Sequence, residues 1–303
     1  MTLSEENYSE VEHIPVLAET LTELVKLPPD AVMVDATIGQ GGHSQLFGQQ
    51  MGPEGIIIGL DIDKNAIHRA QFELKDLLCK VILIHSNFAL ITKQVHKPHI
   101  EKVDFILADL GVRSAQLIDN DIGLSFQKNM PLDMRFDKSI KTTAADIINN
   151  IDEKSLAELI FRFGEDRASR RIARFIVEYR QRQPITTTGQ LATIVAKAVG
   201  GAGKNRIHPA TRTFQALRIA VNSELDNLQK LLDSAPDLLK KNGRIAIISF
   251  HSLEDRIVKN NFKRNEAENI YKLITKKPAV PTREEISINR RARSAKLRIA
   301  EKQ

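Results

Sequence analysis

Two carboxylates bracket a glycine turn near the start of this chain. Asp35 ends the apolar run Val32-Met33-Val34, Gly39, Gly41 and Gly42 follow, and Asp61 closes the next apolar run, Ile56-Ile57-Ile58-Gly59-Leu60. Glycines let a backbone approach a ligand and take up positive φ, and an acid at the end of a second strand can accept hydrogen bonds from both ribose hydroxyls. A nucleoside suits this spacing. The dinucleotide fingerprint G-x-G-x-x-G is incomplete, because Ser44 stands where the third glycine would be, and Asp35 would repel a pyrophosphate. A cationic ligand that carries an amino acid fits better, and S-adenosylmethionine, with its sulfonium and α-ammonium, is one. The plainer alternative is a flavodoxin-like, doubly wound domain whose glycines only make a tight turn.

Other residues are candidates by position. Asp109 ends the apolar run 103–109, on the edge of a parallel sheet where ligands bind; a loop-capping role before Gly111 is the alternative. Ser86-Asn87-Phe88 follows a third run, where an aromatic ring could cover an adenine face or simply join the core. His251 lies just past a fifth run and could meet a target base, its phosphate or only its own fold. Arg212, Arg218 and Asn222 recur at near-helical spacing, as RNA or cofactor-side contacts or as ion pairs with Glu224 and its neighbours. His96 and His99 have no further ligands at useful spacing, so no metal site is expected.

These residues need elements to hold them. Strand signals at 31–36, 56–61, 81–84 and 103–109 alternate with amphipathic or polar segments, which implies a parallel α/β sheet. The next buried run, 244–250, comes far later than a normal crossover allows, so a helical insertion is expected over roughly 113–208. The amphipathic run from Pro209 to Lys240 then returns to the sheet, followed by a helix from Ser252 and strands at 271–275 and 296–300. Cys79 is the only cysteine, which excludes an intrachain disulfide framework and suits a reducing compartment. The first residues are polar and acidic and no apolar run is long enough to span a bilayer, so a soluble, cytoplasmic protein is expected. The net charge of +6 is localised: residues 259–303 hold 13 Lys and Arg against 5 Asp and Glu, and the rest of the chain 31 against 33. Such a segment suits a phosphate backbone, or is a solvated tail. Arg162 to Arg174 is a second arginine-rich stretch, for which helix-surface pairing with Glu165, Asp166 and Glu178 offers a partial account.

Gly41-Gly42-His43, Asp109-Leu110-Gly111-Val112, Pro131-Leu132-Asp133-Met134-Arg135, His208-Pro209-Ala210-Thr211-Arg212-Thr213-Phe214-Gln215-Ala216 and Ser249-Phe250-His251-Ser252-Leu253-Glu254-Asp255-Arg256 occur in that order. Together, from His13 to Ser294, they resemble the signature blocks of the bacterial ribosomal RNA small subunit methyltransferase H family (RsmH, also called MraW). The resemblance implies a Rossmann-like class I S-adenosylmethionine-dependent methyltransferase, with residues 1–112 and 209–303 as the discontinuous catalytic domain and 113–208 as an rRNA-recognising insertion. It implies methylation of the N4 amine of a cytidine in the decoding region of 16S rRNA within the small ribosomal subunit. The cofactor residues it implies are Gly41, Gly42, His43, Asp61, Phe88, Asp109 and Gln116. Where the family pattern would have a serine, this chain has Arg113. The Pro-Pro-aromatic motif of many DNA amine methylases is absent after Asp109, so base stacking must come from elsewhere. A non-catalytic rRNA-binding or assembly factor that keeps the fold is the rival reading, followed by an NAD-dependent oxidoreductase. The oligomeric state stays open, a homodimer included.

Overall fold

The computed structural model describes residues 14–112, 122–201 and 208–303. Arg113, Ser114 and Gln116 lie outside them. The apolar runs expected as strands are strands: β1 (Val32–Asp35), β2 (Ile56–Asp61), β3 (Lys80–His85), β4 (Val103–Asp109), β5 (Leu239–Ser249), β6 (Tyr271–Leu273) and β7 (Lys296–Lys302). They form one sheet in the order β3-β2-β1-β4-β5-β7-β6. The first five are parallel, and β7 runs antiparallel to both β5 and β6.

Period-two burial explains why the centres of the inner strands are apolar on both faces. In β4, Ile106 and Ala108 join the core on one face, with Val34, Ile58, Ile245 and Ile247. Phe105 and Leu107 join the opposite core, with Met33, Ala246 and Ile248. A strand covered on both faces must be hydrophobic at every position, unlike one with a wet side. The helices α1 (Ala18–Leu24), α2 (Gly42–Gly48), α3 (Lys64–Glu73) and α4 (Ile91–His96) accompany the first strands. No helix of the described residues is long and apolar enough to cross a membrane.

Between β4 and β5 lies a helical bundle of α5 (Ala144–Asn150), α6 (Glu153–Gly164), α7 (Ser169–Arg180), α8 (Thr188–Val199) and α9 (Ala210–Asn222). Asp152 caps α6, and Thr187 with Gln190 forms a reciprocal capping box on α8. The amphipathic run from Pro209 is two helices, because Ser223 turns left-handed at φ 50° between α9 and α10 (Glu224–Leu238). The two halves bury different faces. Phe214, Leu217 and Val221 of α9 sit in the bundle's core with Leu156, Ile160 and Ile172, whereas Leu228, Leu231 and Leu232 of α10 pack on the sheet.

A close approach joins α6 to α9. A Cβ at Gly164 would lie 2.6 Å from the carbonyl oxygen of Arg212, a backbone atom that cannot rotate away. Gly164→Ala is expected to cost about 1–3 kcal/mol, read as a lower urea midpoint; an unchanged midpoint would mean the helices slide apart freely.

The basic C-terminal segment is an ordered part of the sheet. After α11 (Ser252–Ala267), α12 (Arg283–Ile288) and a short 3-10 turn, it ends as β7. Lys296 and Arg298 pair with Asp255 at 3.2 and 2.7 Å, and Arg264 pairs with Asp233 at 3.0 Å. Some of its positive charge is therefore consumed within the fold.

Candidate functional site

The strand order reverses between β1 and β4, and in open α/β sheets ligands bind beyond the carboxyl ends of the strands at such a point. Asp35 and Asp109 occupy those two ends. Asp35 is buried, accepting hydrogen bonds from Ser44 Oγ at 2.8 Å and from the Thr37 amide at 3.2 Å. Thr37 Oγ1 in turn accepts from the Asp109 amide at 2.7 Å, which ties the two ends together. His43, in the first turn of α2, places Nε2 2.9 Å from the carbonyl of Val16 and Nδ1 3.8 Å from Asp109 Oδ2. A carbonyl only accepts, so the Nε2 contact puts a proton on that nitrogen, and Nδ1 faces Asp109. Asp109 Oδ1 is buried with no hydrogen-bond partner among the described residues.

Both acids are harder to ionise than usual. Burial pushes Asp35 up to about 6, against the hydrogen bonds of Ser44 and Thr37, and the charge of Asp61 adds to the rise. Burial likewise raises Asp109 well above its ordinary value, helped by the charges of Asp35 and Glu254. A group with a raised folded pKa binds its proton more tightly folded than unfolded, so its contribution to stability falls as pH rises from about 4 to 6. Asp35→Asn abolishes that loss. Relative to wild type, the variant is expected to gain up to ~3 kcal/mol between pH 4 and pH 7, measured by urea unfolding at each pH. A constant difference would place the titration elsewhere.

The glycine turn and Asp61 form one unit. Gly39 and Gly41 have φ of 57° and 91°, and Gly41 is the residue from which α2 starts. Gly42 is the first residue of that helix. Asp61 Oδ2 accepts from the Gly39 amide and Oδ1 from the Asp63 amide, both at 2.9 Å, so this acid shapes the turn. Phe88 begins a short 3-10 turn capped by Asn87 and packs half-buried against the sheet's core. Gln116 lies outside the described residues.

Beyond β5, the structure gives several side chains structural work. His251 caps α11: its Nδ1 accepts from the Glu254 amide at 3.4 Å, and Nε2 lies 3.2 Å from Glu254 Oε1. Glu254 is buried, and its Oε2 accepts from the amides of Phe250 and His251 at 2.9 and 3.3 Å. Burial alone would raise Glu254, but His251, the Phe250 amide and Arg218 together hold it below its usual range. Both ring nitrogens of His251 face Glu254, and Nε2 makes no hydrogen bond among the described residues. The Arg218 guanidinium forms a bidentate pair with Glu224, at 2.8 and 3.0 Å, the ion pair that its spacing also offered. Asn222 donates to the carbonyls of Met134 and Arg218 and accepts from the Phe136 amide, pinning the 131–136 loop to α9. Arg212 alone of the three is exposed, with Nη1 3.4 Å from the Glu165 carbonyl.

Glu224, His251 and Glu254 hold their ligand atoms within 4.8 Å of one another, an arrangement with metal-binding chemistry. Here both oxygens of Glu224 are taken by Arg218 and Glu254 is taken by two amides and a ring. Gly111, at φ 120°, leaves room for the Phe250 ring, from which a Cβ added there would lie 3.0 Å. Sequence reasoning missed Glu254; the signal was a glutamate three residues after a capping residue.

The model of the MraW methylase family matches residues 10–303. The ribosomal RNA small subunit methyltransferase H of Picosynechococcus sp. is 48% identical over 294 residues, covering 97% of each chain. The protein of that name from Clostridioides difficile is 44% identical over 311 residues, covering 97% of this chain and 99% of its own. That from Syntrophobacter fumaroxidans is 44% identical over 309 residues, covering 97% of each. With a seven-stranded Rossmann-like sheet and a match over nearly its whole length, the chain belongs to the MraW methylase family.

Proposed function

We propose that this protein is an S-adenosylmethionine-dependent methyltransferase that modifies the N4 amine of a cytidine in the decoding region of 16S rRNA, acting on the small ribosomal subunit in the cytoplasm. Family membership and the names of the relatives support the class of reaction and the RNA. The observation that carries the site is the buried Asp109 Oδ1 at the strand-order reversal, an acceptor with no donor among the described residues. Leaving such an atom dry costs free energy that a ligand donor recovers. Two buried acids beside a glycine turn fit a ligand that brings positive charge.

Gly41, Gly42 and His43 would hold the cofactor at the turn, Asp61 its ribose and Phe88 its adenine, with Asp109 and Gln116 toward the methionine end. When bound, S-adenosylmethionine supplies an electrophilic methyl group on a sulfonium. The protein's task is to align the acceptor nitrogen in a dry pocket. A cytosine amine is a poor nucleophile because its lone pair is delocalised into the ring. Asp109 Oδ1, by accepting its N–H, returns electron density to the nitrogen and orients it. This chemistry asks for no metal. Residues 1–112 and 209–303 would form the catalytic domain, with 113–208 as the rRNA-binding insertion whose core α9 extends.

Purified protein, labelled S-adenosylmethionine and small subunits lacking their native methylations test the proposal, followed by nuclease digestion and nucleoside analysis. Label on N4 of a cytidine is the expected result. Label on another base would overturn the specificity and keep the enzyme class, and cofactor binding without transfer would favour an assembly factor.

A further inference from the structure

We infer that the outer face of α6 and the start of α7 form the bed for the RNA strand next to the reacting base, with Phe161 stacking on a neighbouring base and Arg162, Arg167 and Arg170 meeting phosphates. The inference rests on the reading of the protein as an RNA methyltransferase. Phe161 is 60% exposed, near the end of a helix whose Leu156 and Ile160 are buried and whose Leu159 and Phe163 are half-buried. It lines a groove of about 450 Å³ with Ser155, Glu158, Leu159, Arg162 and Phe163. The Arg162 guanidinium lies 5.1 Å from the centre of the Phe163 ring. An aromatic face beside stacked guanidinium groups is how single-stranded nucleic acid is held with little regard to sequence.

The helix that bears the groove is tied at its end to the start of α11. Glu165 ends α6 in a left-handed conformation, φ 50°, and its side chain bonds Ser252 and Arg256, at the start of α11 just past His251. The α6 terminus is thereby fastened beside the carboxyl edge of β5. A base taken out of its stack for methylation leaves neighbours with open faces, and Phe161 offers one of them a new partner.

The charges favour RNA over a second copy of this chain. At this corner Glu165 is committed to Ser252 and Arg256, and Asp166 caps the Ala168 amide, while Arg162, Arg167 and Arg170 are exposed. Arg170 and Arg171 sit in the first turn of α7, which has no acid there, against the helix dipole; a phosphate relieves that opposition. A two-fold contact through this patch would press the same arginines against each other. Glu158 is the acid in the groove, and RNA must pass it.

The test is methylation kinetics of the full-length protein on undermethylated small subunits, with direct subunit binding. Phe161→Ala removes an exposed ring, so its thermal midpoint should match wild type. It is expected to raise KM for subunits about ten-fold, with kcat and cofactor affinity within about two-fold, while Phe161→Tyr keeps the wild-type value. Arg162→Ala should flatten the plot of log affinity against log salt by about one unit, and Glu158→Gln should tighten binding. An unchanged KM for Phe161→Ala overturns the inference. So does a shift from dimer to monomer in sedimentation, which would make the patch a self-contact. If wild type methylates no subunit, the functional reading fails on its own, and wild-type against Phe161→Ala subunit binding still decides the surface.

Discussion

Asp109→Asn is expected to lower kcat for methyl transfer by about 10²–10³-fold, while leaving the protein at least as stable as wild type at pH 7. The two halves of this result have one cause. Asp109 is held largely buried at the end of β4, one oxygen without a partner and the other 3.8 Å from His43. Burial and the charges of Asp35 and Glu254 oppose its ionisation, so the folded protein carries a cost there. Asparagine has nearly the same shape without that cost. It keeps an acceptor oxygen, but it has lost the charge that polarises an amine N–H or attracts a ligand cation. If the defect lies in cofactor affinity with kcat unchanged, Asp109 positions the cofactor and not the acceptor. Unchanged kinetics in both would remove Asp109 from the site. A loss of stability would mean that the carboxylate is bonded in solution in a way the structure does not show.

The second large effect is on stability. Arg218→Met is expected to destabilise the protein by about 3–5 kcal/mol, since removing one member of a buried ion pair strands its partner. Arg218 and Glu224 are 17% and 14% exposed, with two guanidinium bonds between them. Burial disfavours the arginine's charge, yet Glu224 more than offsets this and its pKa lies above the ordinary value. The pair joins α9 of the bundle to α10 of the sheet layer across the Ser223 turn, and Arg218 also steadies the charge of Glu254. The double variant Arg218→Met/Glu224→Gln should recover most of the loss, because no bare charge remains. Denaturant unfolding of both variants decides it. Equal losses in the single and double variants would mean that Arg218 matters through packing and not charge.

The comparison of Asp109 with His251 shows where sequence reasoning reached and where it stopped. Both follow apolar strands and both bear groups fit for catalysis. Strand polarity is local, so a residue at a strand's carboxyl end lands on the binding edge of a parallel sheet whatever else happens, and Asp109 could be placed from its neighbours alone. The direction in which a side chain points depends on which of several partners the fold brings within reach. His251 turns to Glu254, and Arg218 takes the Glu224 pair that its spacing also offered, although each residue type equally suited RNA. The same limit applied to the amphipathic run from Pro209, whose division between two cores hangs on a left-handed Ser223.

The chain by itself therefore determined the parallel part of the sheet, the glycine turn with its two acids, the presence of a helical insertion and, through its signature blocks, the family. These are properties of short-range periodicity, of strand and helix order, and of residue identity. Only the tertiary structure decided which carboxylates are buried together, which cations are already spent on internal partners, and that Phe161 lies exposed among arginines. Burial and electrostatics are set by groups tens to hundreds of residues apart, such as Glu165 with Arg256 or Asp255 with Arg298. No local window of the sequence contains them.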